Sequence, residues 1–179
     1  GSELVIRDRP WNAPITLLVR SLAPAIAAGC TSVTKAAPQT ALVNEMVFRL
    51  LADVDGIPPG AINMISETGS DVSKLLVDSP EVDVISYTGS THVGKLIMAA
   101  GAPTLKRMNL ELGGSAPCVV FGDANLDETV AGITRAAMAH TGQVCVAASR
   151  VIAALSIAAE LVSKLAARLG KRQLGVAGS

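Results

Sequence analysis

The chain holds 179 residues, 15 basic and 15 acidic, and half of them are hydrophobic, so its formal charge is zero. No run of one sign is present to track a nucleic-acid backbone, and no uninterrupted apolar run approaches the roughly 18 residues of a membrane span. The length suits one sizeable core, or one domain with part of a second, and zero net charge gives little protection against association, so a homo-oligomer is expected. Aromatic residues make up 2%, which leaves the core to Val, Ile, Leu, Ala and Met. Cys30, Cys118 and Cys145 are odd in number and lack the spacing of a zinc or redox site. That pattern points to no metal centre and to a reducing compartment, the cytoplasm. The N-terminus is charged rather than apolar, so no signal peptide is read from it, and Gly1-Ser2 reads as a cloning scar.

Leu4-Val5-Ile6 opens a strand that runs into Arg7-Asp8-Arg9, and these charges leave open whether it lies at an edge or in the middle of a sheet. Asn12 follows, shortly before Pro14, which suits a first helical turn; a helix cap is its plain structural role. A helix is expected from Ile15 to Ala28, kinked or divided at Pro24 and stopped by Gly29. Thr31 to Lys35 reads as the second strand. Over residues 39–54, Leu42, Val43, Met46, Val47, Leu50, Leu51 and Val54 recur at helical spacing and are expected to face the sheet. A turn from Gly56 to Gly60 comes next. Ala61 to Ile65 is the third strand, and Val72 to Val77 a short helix with Asp71 as its N-cap.

Val82 to Tyr87 is the fourth strand, delivering Thr88-Gly89-Ser90 to the start of a helix from Thr91 to Ala100. Backbone N–H groups at such a start would face a phosphate. The spacing from Gly89 to Lys95 imitates the phosphate loop of nucleoside triphosphatases, but Leu96 stands where a hydroxyl must reach magnesium. The Gly-x-Gly-x-x-Gly fingerprint is also absent. Arg107 to Glu111 is the fifth strand, and Pro117 to Phe121 begins another in a second layer. The polar turn from Asp123 to Asp127 leads into a helix ending near His140; then come a strand from Ser149 to Ala153, a helix from Ile157 to Leu169, and a frayed tail.

About five strands alternating with helices predict an α/β fold. Residues 3–114 should form a doubly wound parallel sheet, Rossmann-like, and residues 115–179 part of a second α/β domain. Ligands bind such sheets at the carboxyl ends of the strands, and Asn12, Lys35, Ser90 and Glu111 all fall there.

The reactive groups gather in two stretches, Glu111-Leu112-Gly113-Gly114 and Gly142-Gln143-Val144-Cys145. Together they supply a thiolate to attack a carbonyl carbon and a carboxylate to activate the water that releases the acyl group. The glycines leave room for a cofactor or substrate beside the carboxylate. His140 offers a second base, although a histidine at a helix end is more often a solvated cap. Cys30 and Cys118 read as buried, inert thiols, whereas the turn at Cys145 supplies N–H groups that favour a thiolate.

These two motifs, in this order and preceded by Pro10-Trp11-Asn12, Lys35 and Tyr87-Thr88-Gly89-Ser90, resemble the aldehyde dehydrogenase superfamily from about Pro10 to about Gly170. The resemblance implies that Cys145 is the nucleophile, Glu111 the general base and Asn12 an oxyanion donor. It also implies a site for NAD or NADP at Trp11, Lys35, Thr88, Gly89, Ser90, Gly94 and Leu112, with the pyrophosphate near Ser90. The chain is shorter than those enzymes and reads as an internal piece. Lys35-Ala36-Ala37-Pro38 departs from the family's Lys-x-x-Glu, losing an acceptor for ribose hydroxyls and a charge that would repel the 2′-phosphate of NADP. Ser115 stands where lysine is common, and nothing in the sequence explains it.

Three functions fit these residues. The first is oxidation of an aldehyde to a carboxylic acid through a Cys145 thiohemiacetal and thioester, with NAD or NADP as acceptor. The second is cleavage of a small ester by the same pair without a cofactor. The third is a catalytically silent piece that binds a nucleotide or self-associates. The partner is a small-molecule aldehyde or ester in the first two, with no nucleic acid or membrane involved.

Overall fold

Short runs rich in Val, Ile and Thr that are separated by helix-length stretches cannot pair as hairpins, so each strand must cross over before the next pairs with the sheet. The computed structural model describes residues 3–8, 10–173 and 175. The expectations for Gly1-Ser2, for Arg9 as part of the first strand, and for most of the tail lie outside the described residues. The chain divides into two units, Gly1–Gly113 and Gly114–Ser179.

The first unit contains β1 (Leu4–Asp8), α1 (Pro14–Ala27), β2 (Thr31–Ala36), α2 (Ala41–Ala52) and β3 (Ile62–Ser66). It continues with α3 (Asp71–Asp78), β4 (Val84–Gly89), α4 (Thr91–Gly101) and β5 (Arg107–Leu112). The strands form one parallel sheet in the order β3-β2-β1-β4-β5. Helices α1 and α2 pack together on one face and α3 and α4 on the other, which makes the sheet doubly wound. No helix among the described residues is long and apolar enough to cross a membrane.

β1 settles in the middle of the sheet. Val5 pairs with Ser32 on one side and Val84 on the other, and Val5 and Ile6 are both buried because both faces of the strand are covered. Arg7 and Asp8 are the last two residues of the strand, and their backbones still pair with both β2 and β4. Pro24 does not divide α1, which runs on to Ala27. The helix stops as expected at Gly29, whose φ of 74° lies in the left-handed region, with Cys30 N donating to Ala25 O at 2.9 Å.

Two local expectations fail. Most of the apolar stripe of α2 points outward: Leu42 is 76% exposed, Met46 67% and Leu50 71%, while Val47 and Leu51 of the same stripe are half-buried beside Phe48 and the fully buried Asn44. The helix carries apolar residues on more than one side, and periodicity alone does not say which side meets the sheet. Asp71 is not the cap of α3 either. Ser70 holds the N-cap position without a side-chain bond, and Glu67 supplies the cap by accepting from Val72 N at 3.1 Å and Ser73 N at 3.2 Å.

The second unit pairs β6 (Pro117–Val120) with β7 (Arg150–Ala153) in a parallel two-stranded sheet. Val120 packs with Val130 and Ile133 of α5 (Leu126–Met138) and Leu161 of α6 (Leu155–Leu169). Asn125 Oδ1 caps α5 by accepting from Asp127 N and Glu128 N.

Candidate active site

Where successive crossovers reverse direction, adjacent strands leave a crevice at their carboxyl ends. In the first unit this reversal falls between β1 and β4. A cavity of about 750 Å³ opens there and runs between α3 and α4 over Ile6 and Ile85. Val77, Val93, Leu96 and Ile97 make its walls apolar, while Trp11, Lys35, Thr88 and Gly89 line the end nearest the strand termini. Ser70, Ser73 and Lys74 of the β3–α3 turn and first helical residues join that end. An apolar slot for a base, with lysines and hydroxyls at one end for charge and sugar, fits a dinucleotide cofactor.

The glycine turn after β4 is shaped by Tyr87. A Cβ at Gly89 would lie 2.2 Å from Tyr87 Oη, and that same oxygen accepts from Ser90 N at 3.0 Å. Ser90 Oγ in turn accepts from Val93 N at 3.2 Å and caps α4. Gly94 is buried against Leu112, whose Cδ2 would lie 2.7 Å from an added Cβ. Of the positions implied by the family resemblance, Trp11, Lys35, Thr88 and Gly89 therefore line the cavity; Ser90, Gly94 and Leu112 support its edge from outside the lining.

Glu67 closes the β3–α3 turn beside Lys35. Desolvation works to raise its carboxyl, but the Val72 and Ser73 amides, the Lys35 charge and the Ser73 hydroxyl outweigh that and hold it below its ordinary 4.5.

β5 alternates its faces. Met108, Leu110 and Leu112 pack into the core beneath α3 and α4, whereas Arg107, Asn109 and Glu111 turn the other way. On that side a second cavity, about 500 Å³, is lined by Arg20, Ser86, Asn109 and Glu111, with Cys30 on its wall. Arg20 Nη2 lies 3.9 Å from Glu111 Oε2, each side chain half exposed. Cys30 is therefore half-buried beside an open cavity rather than sealed in the core, and Cys118 is half-buried too. Asn12 is half-buried in the bend before α1 and lines neither of these cavities.

In the second unit, Cys145 is exposed, in a turn where Ala147 N donates to Val144 O at 3.0 Å. The loop before it is built from three successive left-handed residues, His140 (φ 48°), Thr141 (φ 58°) and Gly142 (φ 80°). A β-branched threonine there is strained, and the loop holds it with Thr141 Oγ1 donating to His140 O at 2.5 Å and Gln143 Nε2 donating to Thr141 Oγ1 at 3.1 Å. His140 itself is exposed at the helix end.

Sequence reasoning passed over Arg20, Glu67 and Lys74. Arg20 sits two helical turns beyond Asn12 and Lys74 in the first turn of a helix rising from a strand's carboxyl end, and both placements were readable once the elements were assigned.

Residues 5–178 match the model of the aldehyde dehydrogenase family. The chain is 46% identical over 143 residues to a mitochondrial succinate-semialdehyde dehydrogenase of Arabidopsis thaliana, covering 80% of this chain and 27% of that one. It is 40% identical over 167 residues to 2-aminomuconic semialdehyde dehydrogenase of Mus musculus, covering 93% of this chain and 34% of that protein. A crystal structure of betaine aldehyde dehydrogenase from Staphylococcus aureus in complex with NAD+ superposes with a TM-score of 0.91 at 37% identity, covering 97% of this chain and 34% of that one. The chain thus spans about a third of the length of these relatives. With its five-stranded doubly wound sheet and its match over nearly all of its length, the chain belongs to the aldehyde dehydrogenase family.

Proposed function

We propose that this chain is the cofactor-binding and thiol-bearing part of a dehydrogenase that oxidises an aldehyde to a carboxylic acid, with NAD or NADP in the cavity between α3 and α4. The observation that carries the reading is the contrast among the thiols: Cys145 is exposed on a strained turn, while Cys30 and Cys118 are half-buried. In this mechanism the Cys145 thiolate adds to the aldehyde carbon, and the oxyanion of the thiohemiacetal is held by the Asn12 amide and a backbone N–H. NAD or NADP, held by Trp11, Lys35, Thr88 and Gly89, would supply the acceptor for the hydride of that carbon. Glu111 then takes a proton from water, which adds to the thioester carbonyl, and collapse of that adduct expels the thiolate and frees the acid. Lys35 anchors the adenosine end of the cofactor, and Trp11, Thr88 and Gly89 bound the cavity's carboxyl end.

A cytoplasmic homo-oligomer completes the reading, supported by the unpaired cysteines and by the exposed apolar stripe of α2. Two of the relatives are named for semialdehydes, so semialdehydes are the first substrates to test. Reduced cofactor should appear by absorbance with the chain and be lost in Cys145→Ala; no signal above that variant overturns the proposal. Iodoacetamide at limiting amount should label Cys145 before Cys30 and Cys118, and the reverse order would remove the nucleophile. Ester cleavage without cofactor has no counterpart among the relatives named above. Turnover of a p-nitrophenyl ester that survives both Cys145→Ser and Glu111→Gln would assign it to other residues.

A further inference from the structure

Resting on the reading of the α3–α4 cavity as a dinucleotide site, we infer that its carboxyl end selects a phosphomonoester on the adenosine ribose, so that the chain prefers NADP+ to NAD+ with Lys74 as the discriminating residue. Lys35 is the penultimate residue of β2 and Lys74 lies in the first turn of α3, and both line this end of the cavity with Ser70 and Ser73. Because α3 returns antiparallel to the strands, its first turn stands beside their carboxyl ends, while Asp78, the carboxylate among the lining residues, lies at the helix's other end.

The Glu67 carboxylate beside Lys35 is engaged elsewhere. Glu67 accepts from Val72 N, Ser73 N and Ser73 Oγ and is absent from the cavity lining. It thereby occupies the N–H groups that would otherwise attract an anion to the helix end. Glu67 also offsets part of the charge of Lys35. A ribose hydroxyl seeking a carboxylate acceptor finds Pro38 and Gln39 in the lining instead. A ribose phosphate finds two ammonium groups, and Lys74, exposed on its helix, is the one free to follow it.

The test is a binding titration that does not depend on turnover. Trp11, the single tryptophan, lines the cavity and reports occupancy by its fluorescence. NADP+ should bind about tenfold more tightly than NAD+ at low salt, the size of one charge-assisted contact, and the gap should narrow as salt is added. The fragment 2′,5′-ADP should compete with NADP+ more strongly than 5′-AMP does. Lys74→Gln should erase most of the gap by weakening NADP+ alone, and Lys74→Arg should keep it. Equal affinities in the unchanged chain, a preference for NAD+, or equal weakening of both cofactors by Lys74→Gln each overturn the inference. Binding of neither nucleotide overturns the dinucleotide reading itself, a result distinct from binding without preference.

Discussion

The two faces of the first unit's sheet differ in the polar groups they bury. Beneath α3 and α4 one buried cluster joins Ile6, Val77, Ile85, Tyr87 and Ile97, with the charged Lys35 buried at the strand ends. Beneath α1 and α2 the buried set includes Ser21, Ser32, Thr34, Asn44 and Ser86, and β5 presents Asn109 and Glu111 to an open cavity. Val5, Leu18 and Leu22 are buried on this second side too, so hydrophobic burial anchors the strands from both, and what differs is the hydroxyls and the amide mixed in beneath α1 and α2. The face whose cluster is apolar also lines the cavity between α3 and α4.

Adjacent residues of β4 give the sharpest test, because Ile85 and Ser86 point to opposite faces. Ile85→Ala should destabilise the chain by about 3 to 4 kcal/mol, through lost burial and the cavity left behind, and Ser86→Ala by about 1 kcal/mol or less. Urea unfolding followed by Trp11 fluorescence reads the first unit alone; equal losses would break the comparison. Gly89→Ala should come next, at about 1 to 3 kcal/mol, because the new methyl displaces the Tyr87 ring and its bond from Ser90 N. Restoring most of that loss in Gly89→Ala with Tyr87→Leu would assign the cost to the ring.

On the polar face, the sign reverses. Asn44 is fully buried, and neither end of its amide has a hydrogen-bond partner among the described residues. Asn44→Leu, similar in size, should raise stability by about 1 kcal/mol in the same unfolding experiment. Destabilisation would instead reveal a bridging water or a partner for that amide.

The smallest effect concerns acid. The Glu67 carboxyl is held below its ordinary 4.5 in the folded chain, so its contribution is complete above that value and is lost as pH falls through the lowered one. Glu67→Gln should therefore lower the midpoint slightly at neutral pH, where the charged cap contributes in full, leave it unchanged in strong acid, and flatten the acid limb of the stability profile. An unchanged acid limb would mean that the cap is worth no more charged than neutral.

The strand and helix succession was readable from the sequence because Val/Ile-rich runs, Gly29 and the Thr88-Gly89-Ser90 turn each mark an element boundary locally. The orientation of α2 was not, since Leu42, Met46 and Leu50 form as good a stripe as the one that turns inward, and only the packed sheet chooses between them. The central place of β1 was hidden by its charges and is decided by pairing with both β2 and β4. Motif residues announced Trp11 and Lys35, which line the cavity of the first unit, and Cys145, which is exposed in the second. Lys74 and Arg20 belong to no motif and become visible only when helices deliver them to a strand end or a cavity wall. Glu67 escaped notice because it caps from before the N-cap position, the reverse of the usual capping order.

The central position of β1 also has a kinetic consequence. One edge of that strand is satisfied early, by β2, but its other edge waits for β4, so Val5 must find Val84 after three helices and two strands have intervened. Such non-local parallel pairing slows folding, and until it forms the free edge of β1 remains a template for strands of other chains. As the chain leaves the ribosome, β1, β2 and β3 emerge as a half-sheet with its future centre exposed. Aggregation during synthesis should therefore track the rate at which β4 arrives, more than the stability of the finished fold.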